Sequence, residues 1–143
     1  MLQGKVASAL QPAKFILMVL QVISMSVIMK LKDEHIYAGI SNRFDEESEQ
    51  YGEANTSIRF WVWVSYICLF VEFAIIFSGK TIFNDKYNLT VCSLHMCGLF
   101  LTCTFLNLSS HYAYMPMLCM VSAVAPLSLE AVSYFHSKMN YRN

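Results

Sequence analysis

Four long apolar runs dominate this 143-residue chain, and runs of that length leave few folds open. A hydrocarbon core of about 30 Å is crossed by about 20 helical residues, with a range of about 17 to 25. Four segments reach that length: 15–31, 58–77, 87–108 and 113–135. Backbone polar groups in hydrocarbon must be satisfied within their own segment, so each run is expected to be a helix. The expected fold class is all-α, four transmembrane helices in an antiparallel up-down bundle. Residues 1–143 are expected to form a single tetraspan domain with a polar outer loop over 32–57. Lys14 and Lys30 stand at the ends of the short first span, where their long side chains can snorkel. No Ala-x-Ala site follows that span, so it reads as a signal anchor and not a cleaved leader.

Composition agrees with the membrane reading. Charged residues make up 14% of the chain, against roughly 25% in soluble domains. Ten Lys/Arg balance ten Asp/Glu, so the basic excess that accompanies nucleic-acid binding is missing. Aromatic and aliphatic residues are too abundant for disorder. Seven of the ten acids fall between Asp33 and Glu53, leaving the apolar runs almost free of them. The acidic loop residues Asp45, Glu46, Glu47 and Glu49 lack the spacing of an EF-hand, so a solvated acidic loop is expected there. All five cysteines (Cys68, Cys92, Cys97, Cys103 and Cys119) lie within apolar runs. They read as small apolar side chains, not as disulfide partners.

The connections are unequal. Spans two and three are linked by nine residues, and spans three and four by Ser109–Tyr112. Short links of this kind are expected to make neighbouring antiparallel helices. Lys5, Lys14, Lys80, Lys86, Lys138 and Arg142 lie on one side, against Lys30, Lys32, Arg43 and Arg59 on the other. That asymmetry places both termini in the cytoplasm, with Trp61, Trp63, Tyr66, Tyr112 and Tyr114 toward the outer interface. Three glycosylation sequons begin at Asn55, Asn88 and Asn107. All three are too close to the membrane, or on the wrong side of it, to be expected to carry glycan.

Ionisable residues within spans are costly and mark sites. Glu72, His95 and Glu130 are the three candidates. At a rise of about 1.5 Å per residue, Glu72 and Glu130 lie about 7 to 8 Å from their span ends and His95 about 12 Å from its own. Two carboxyls and an imidazole thus share one half of the bilayer. They are read as interhelical hydrogen-bond glue or partner contacts, with snorkelling or a proton relay as competing roles. Cys92, Met96, Leu99 and Cys103 share one helix face while His95 and Cys97 point elsewhere, so no single-helix tetrahedral metal site forms. Pro126 is interior to span four, where it is expected to kink the helix and free the carbonyl of Ser122. Ser122, Ala123 and Ala125 leave room beside it for a close neighbour. Motifs for nucleophilic, metallohydrolase and phosphate-loop chemistry are missing, and no enzyme activity or cofactor is expected.

The order of landmarks resembles the transmembrane protein 107 family. Lys14-Phe15 opens the first span, and Asp33 and Ile36 follow at the family's spacing. Val71-Glu72, Ser78-Gly79 and Phe83-Asn84 close the second span and its link. His95 falls in the third span, and Ser122-Ala123, Pro126 and Glu130 resemble the family's fourth-span pattern. The resemblance implies a non-enzymatic scaffold of the ciliary transition zone. Its implied partners are tectonic-type and other Meckel-module membrane proteins, and its implied role is control of ciliary membrane composition. The alternative class is a small proton- or ion-coupled transporter built on Glu72, His95 and Glu130.

Overall fold

The computed structural model describes residues 2–40, 49–78, 85–108 and 110–140. The acidic run at 45–47, the landmarks Gly79 and Phe83-Asn84, and the tail arginine Arg142 lie outside them. The described residues form α1 (Leu2–Lys30), α2 (Lys32–Tyr37), α3 (Glu49–Phe77), α4 (Asp85–Asn107), α5 (Met115–Cys119) and α6 (Ala125–Asn140). A 3-10 turn (Tyr112–Tyr114) precedes α5, and a π-helical turn (Met120–Val124) joins α5 to α6. Four stretches are long and apolar enough to cross a membrane: Leu10–Lys30, Glu49–Phe77, Lys86–Asn107 and Tyr112–Ser137.

Helix extends well into the region read as a polar loop. Lys32–Tyr37 forms α2, and α3 starts at Glu49. The reason is the continuation of one inward stripe: Ala54 and Ile58 are fully buried and lead into Val62, Ser65, Leu69 and Glu72. The Thr56 hydroxyl donates to the Gly52 carbonyl one turn back, so a polar residue in this extension does not compete with the helix. α1 and α4 have such stripes too, spaced three or four residues apart. On α1 it is Lys14, Met18, Gln21, Met25 and Ile28; on α4 it is Asn88, Cys92, His95, Gly98, Thr102 and Phe105.

Packing follows these stripes. α1 lies chiefly along α4, α4 also lies against α6 and the π turn, and α3 packs on α1, α5 and α6. Cys92 contacts the Leu10 carbonyl and Gln21 contacts Thr102, so residue numbers rise together along the α1–α4 interface. Across α1 and α3 they run oppositely, with Phe15 beside Phe73 and Ser26 beside Tyr66. The nine-residue link between spans two and three therefore does not join packed neighbours: α3 and α4 face each other across the bundle.

The closest approach is between α4 and the π turn. A Cβ on Gly98 would stand 2.7 Å from the Ser122 Cα and 2.8 Å from its Cβ, so the contact needs glycine. Just beyond, Pro126 has no amide to give its helical acceptor. The chain answers with the π turn, in which the Ala125 amide donates to the Met120 carbonyl five residues back. The disruption expected at Pro126 thus takes the form of a widened turn one step upstream.

Burial is inverted relative to a water-soluble bundle. Phe70, Phe77, Phe100, Met120 and Phe135 are exposed, while Lys14, Gln21, Glu72, His95, Thr102 and Glu130 are fully buried. In lipid an exposed apolar shell costs nothing and buried polar groups find one another. An apolar cluster of Met25, Ile28, Ile36, Ile58, Val62, Phe105, Met115 and Leu118 fills the half of the bundle that contacts α2.

Candidate intramembrane polar site

The site is built from one residue of each long helix. Lys14 stands on α1 in register with Met18 and Gln21. Its Nζ is 2.5 Å from Glu130 Oε2 on α6 and 3.7 Å from Glu72 Oε1 on α3. On the other side of Glu72, His95 Nε2 from α4 lies 3.0 Å from the same Oε1. All four side chains have no exposed surface. The two polar bridges join helices across the bundle diagonals: Glu72–His95 spans α3 to α4, and Lys14–Glu130 spans α1 to α6.

Glu72, His95 and Glu130 therefore converge, an outcome that their similar depths alone leave open. Their full burial excludes snorkelling and lipid-facing partner contact for these three. Lys14 is the residue that sequence reasoning misplaced. It is not a snorkelling end charge but the cation between two carboxylates. It also drops out of the basic residues that bear on orientation, leaving five against four. Two signals in the sequence point to it: its place on the Lys14-Met18-Gln21-Met25 stripe, and the need of two intramembrane acids for a counter-charge.

The neighbouring polar residues extend the site toward mid-bundle. The Gln21 amide donates to the Thr102 hydroxyl at 3.2 Å, and Thr102 donates to the Gly98 carbonyl. Glu72 Oε2, Glu130 Oε1 and His95 Nδ1 are buried without a hydrogen-bond partner among the described residues. Ser24, Ser93 and Thr104 are satisfied locally, each donating to the carbonyl four residues back, whereas the Ser122 and Ser133 hydroxyls are buried without a partner among the described residues.

A second polar group closes the opposite end. Asp33 accepts from Lys32 at 2.6 Å and from the Tyr51 hydroxyl at 2.7 Å, tying α2 to the start of α3. These bonds, Lys32 first and then Tyr51, hold its carboxyl below the usual range. The buried His35 ring stacks on Phe105 with centroids 4.2 Å apart, and its Nδ1 lies 3.1 Å from the Ser110 carbonyl. An acceptor there fixes the Nδ1–H tautomer. Burial lowers the His35 basicity, against opposing contributions from Ser110 and Glu34.

Other sequence candidates fall as follows. Asn88 is buried within α4, Asn55 is half-buried on α3, and Asn107 is exposed at the α4 end. Cys92, Met96, Leu99 and Cys103 lie along one side of α4, where Met96 and Cys103 are exposed and Cys92 is buried beside the Leu10 carbonyl. Among the described residues no group of three or more His, Cys, Asp or Glu side chains is arranged to hold a metal ion. All five cysteines are free, with Cys92 and Cys119 buried and Cys97 and Cys103 exposed.

Comparison with curated proteins and with solved structures returned no significant match. A family model does match, for the transmembrane proteins named TMEM107, over residues 10–134. That range takes in Lys14, Glu72, His95 and Glu130 together with all four membrane-crossing helices. With four apolar helices, a buried polar centre and a family match over most of its length, the chain belongs to the TMEM107 family of transmembrane proteins.

Proposed function

We propose that the protein is a non-enzymatic membrane scaffold of the ciliary transition zone. In this reading it recruits or retains tectonic-type and other Meckel-module membrane proteins, supports cilium assembly and controls ciliary membrane composition. The family match over residues 10–134 carries the reading, because the resemblance to that family is what implies this role. The geometry supplies a compatible mechanism. Lys14, Glu72, His95 and Glu130 pair with one another inside the chain, and the outer surface carries apolar and aromatic residues such as Trp63, Phe70 and Phe100. Helices in lipid associate through close packing of such surfaces, not through hydrophobic exclusion from water. Both termini face the cytoplasm in this proposal.

A tagged copy imaged in ciliated cells between basal-body and axoneme markers tests the reading. A tight band between the two markers, with co-purification of tectonic-type proteins, is the expected result. Diffuse membrane signal in cells with intact transition zones would sink it.

The transporter reading rests on the convergence of Glu72, His95 and Glu130. Against it stand their complete burial and the apolar filling around Met25, Ile58, Phe105 and Met115. Proton or ion flux into liposomes holding the purified chain is the test of that alternative.

A further inference from the structure

The buried cluster has an unbalanced charge count. Lys14 supplies one positive charge, and Glu72 and Glu130 supply two negative ones. With a neutral His95 the set carries one uncompensated negative charge among fully buried groups. An unpaired charge in hydrocarbon is the costliest state available to such a site. One added proton removes it. Two atoms of the Glu72–His95 pair are free to take that proton: Glu72 Oε2 and His95 Nδ1 are both buried and without a partner among the described residues. Lys14 is committed to Glu130 at 2.5 Å, closer than its 3.7 Å approach to Glu72, so the shortfall falls on the Glu72 side.

We propose that Lys14, Glu72, His95 and Glu130 form an intramembrane proton-binding site, holding one exchangeable proton jointly on Glu72 and His95. The titratable groups facing it are Lys14 from α1, Glu72 and Cys68 from α3, His95 and Cys92 from α4, and Glu130 from α6. The filled site is electrically neutral and ties α3 to α4 across the bundle diagonal. The emptied site leaves one negative charge in apolar surroundings and loosens that tie. Protons on an interacting pair belong to the pair, which is why neither residue alone is named as the carrier. The inference stands on the charge set and its burial, independently of the transition-zone reading.

The full chain in lipid nanodiscs, carrying nitrogen-15 histidine and carbon-13 glutamate, tests this by NMR. His95→Asn and Glu72→Gln identify the signals. At neutral pH the wild type is expected to show either a doubly protonated His95 or a protonated Glu72, and an ionised Glu130. Glu130→Gln is the discriminating variant, because Glu130 touches Lys14 and not His95. Removing its charge frees Lys14 for Glu72, and the signature of the added proton is expected to vanish. The proposal is overturned by a neutral His95 beside two ionised carboxylates in the wild type, by a proton found on Glu130, or by a signature unchanged in Glu130→Gln. The wild-type spectrum decides by itself if that variant does not fold.

Discussion

Lys14 and Glu130 are 116 residues apart in the chain and meet at 2.5 Å in the centre of the bundle. Nothing exposed contributes to that contact. A buried pair of this kind does not prove stability on its own, since its desolvation offsets much of the attraction. Removing Lys14 leaves two carboxylates without their cation, and removing Glu130 cuts the α1–α6 tie and leaves Lys14 only its longer, 3.7 Å approach to Glu72. Glu130→Leu is therefore expected to damage the fold itself. It is not a selective probe of partner retention, as it would be if Glu130 faced a neighbouring protein.

The approach of α4 to the π turn gives a steric test. Gly98→Ala places a methyl 2.7 Å from the Ser122 Cα, a backbone atom that no side-chain rotation can move. Overpacking of this sort costs about 1–3 kcal/mol. Thermal unfolding in mild detergent is expected to show the loss, and Ser122→Gly is not expected to rescue it. A Gly98→Ala chain as stable as the wild type would mean that the two helices stand further apart.

Cysteine labelling reads the rotation of α4. Cys97 and Cys103 face outward while Cys92 and Cys119 are buried. A small lipid-soluble maleimide, followed by mass spectrometry, is expected to modify the first two well before the second two. Early modification of Cys92 would show that its side chain does not face α1.

Acid sensitivity is expected at the α2 end. Burial lowers His35 basicity in the folded chain, so the unfolded chain takes up the proton first. Stability from a neutral His35 is then complete above the ordinary histidine value of about 6.5 and is lost as pH falls through the lower folded value. The proton would enter at Nε2, a buried atom with no partner among the described residues. Asp33, also lowered, loses its contribution only at far lower pH, below the ordinary aspartate value of about 3.9. His35→Phe, which keeps the stack on Phe105, is expected to flatten the drop in melting temperature between pH 7 and pH 5. An equal drop in both proteins would assign the sensitivity elsewhere.

Much of this fold is legible in the sequence because lipid enforces a simple rule of length and apolarity. The four spans and the shared depth of Glu72, His95 and Glu130 follow from hydropathy and residue counting alone. Three things do not. The extension of α3 to Glu49 depends on Ala54 and Ile58 finding partners, and a window of polar composition hides that stripe. The helix order around the bundle depends on which faces fit, with Gly98 at Ser122 fixing one contact, and link length does not reveal it. Lys14 was misread because a lysine at a span end snorkels by default, and only its register with Gln21 and Met25 shows that it points inward.

The account rests on Lys14 and Glu130 acting as one unit inside the bundle. A double-mutant cycle with Lys14→Met and Glu130→Leu, scored by unfolding in detergent, tests this most directly. Lys14→Met is expected to cost about 3–5 kcal/mol by stranding two carboxylates, and Glu130→Leu less, because Lys14 keeps its 3.7 Å approach to Glu72. The double change is expected to cost clearly less than the sum, with a coupling of about 2 kcal/mol or more. Additive losses, or singles as stable as the wild type, would contradict the account.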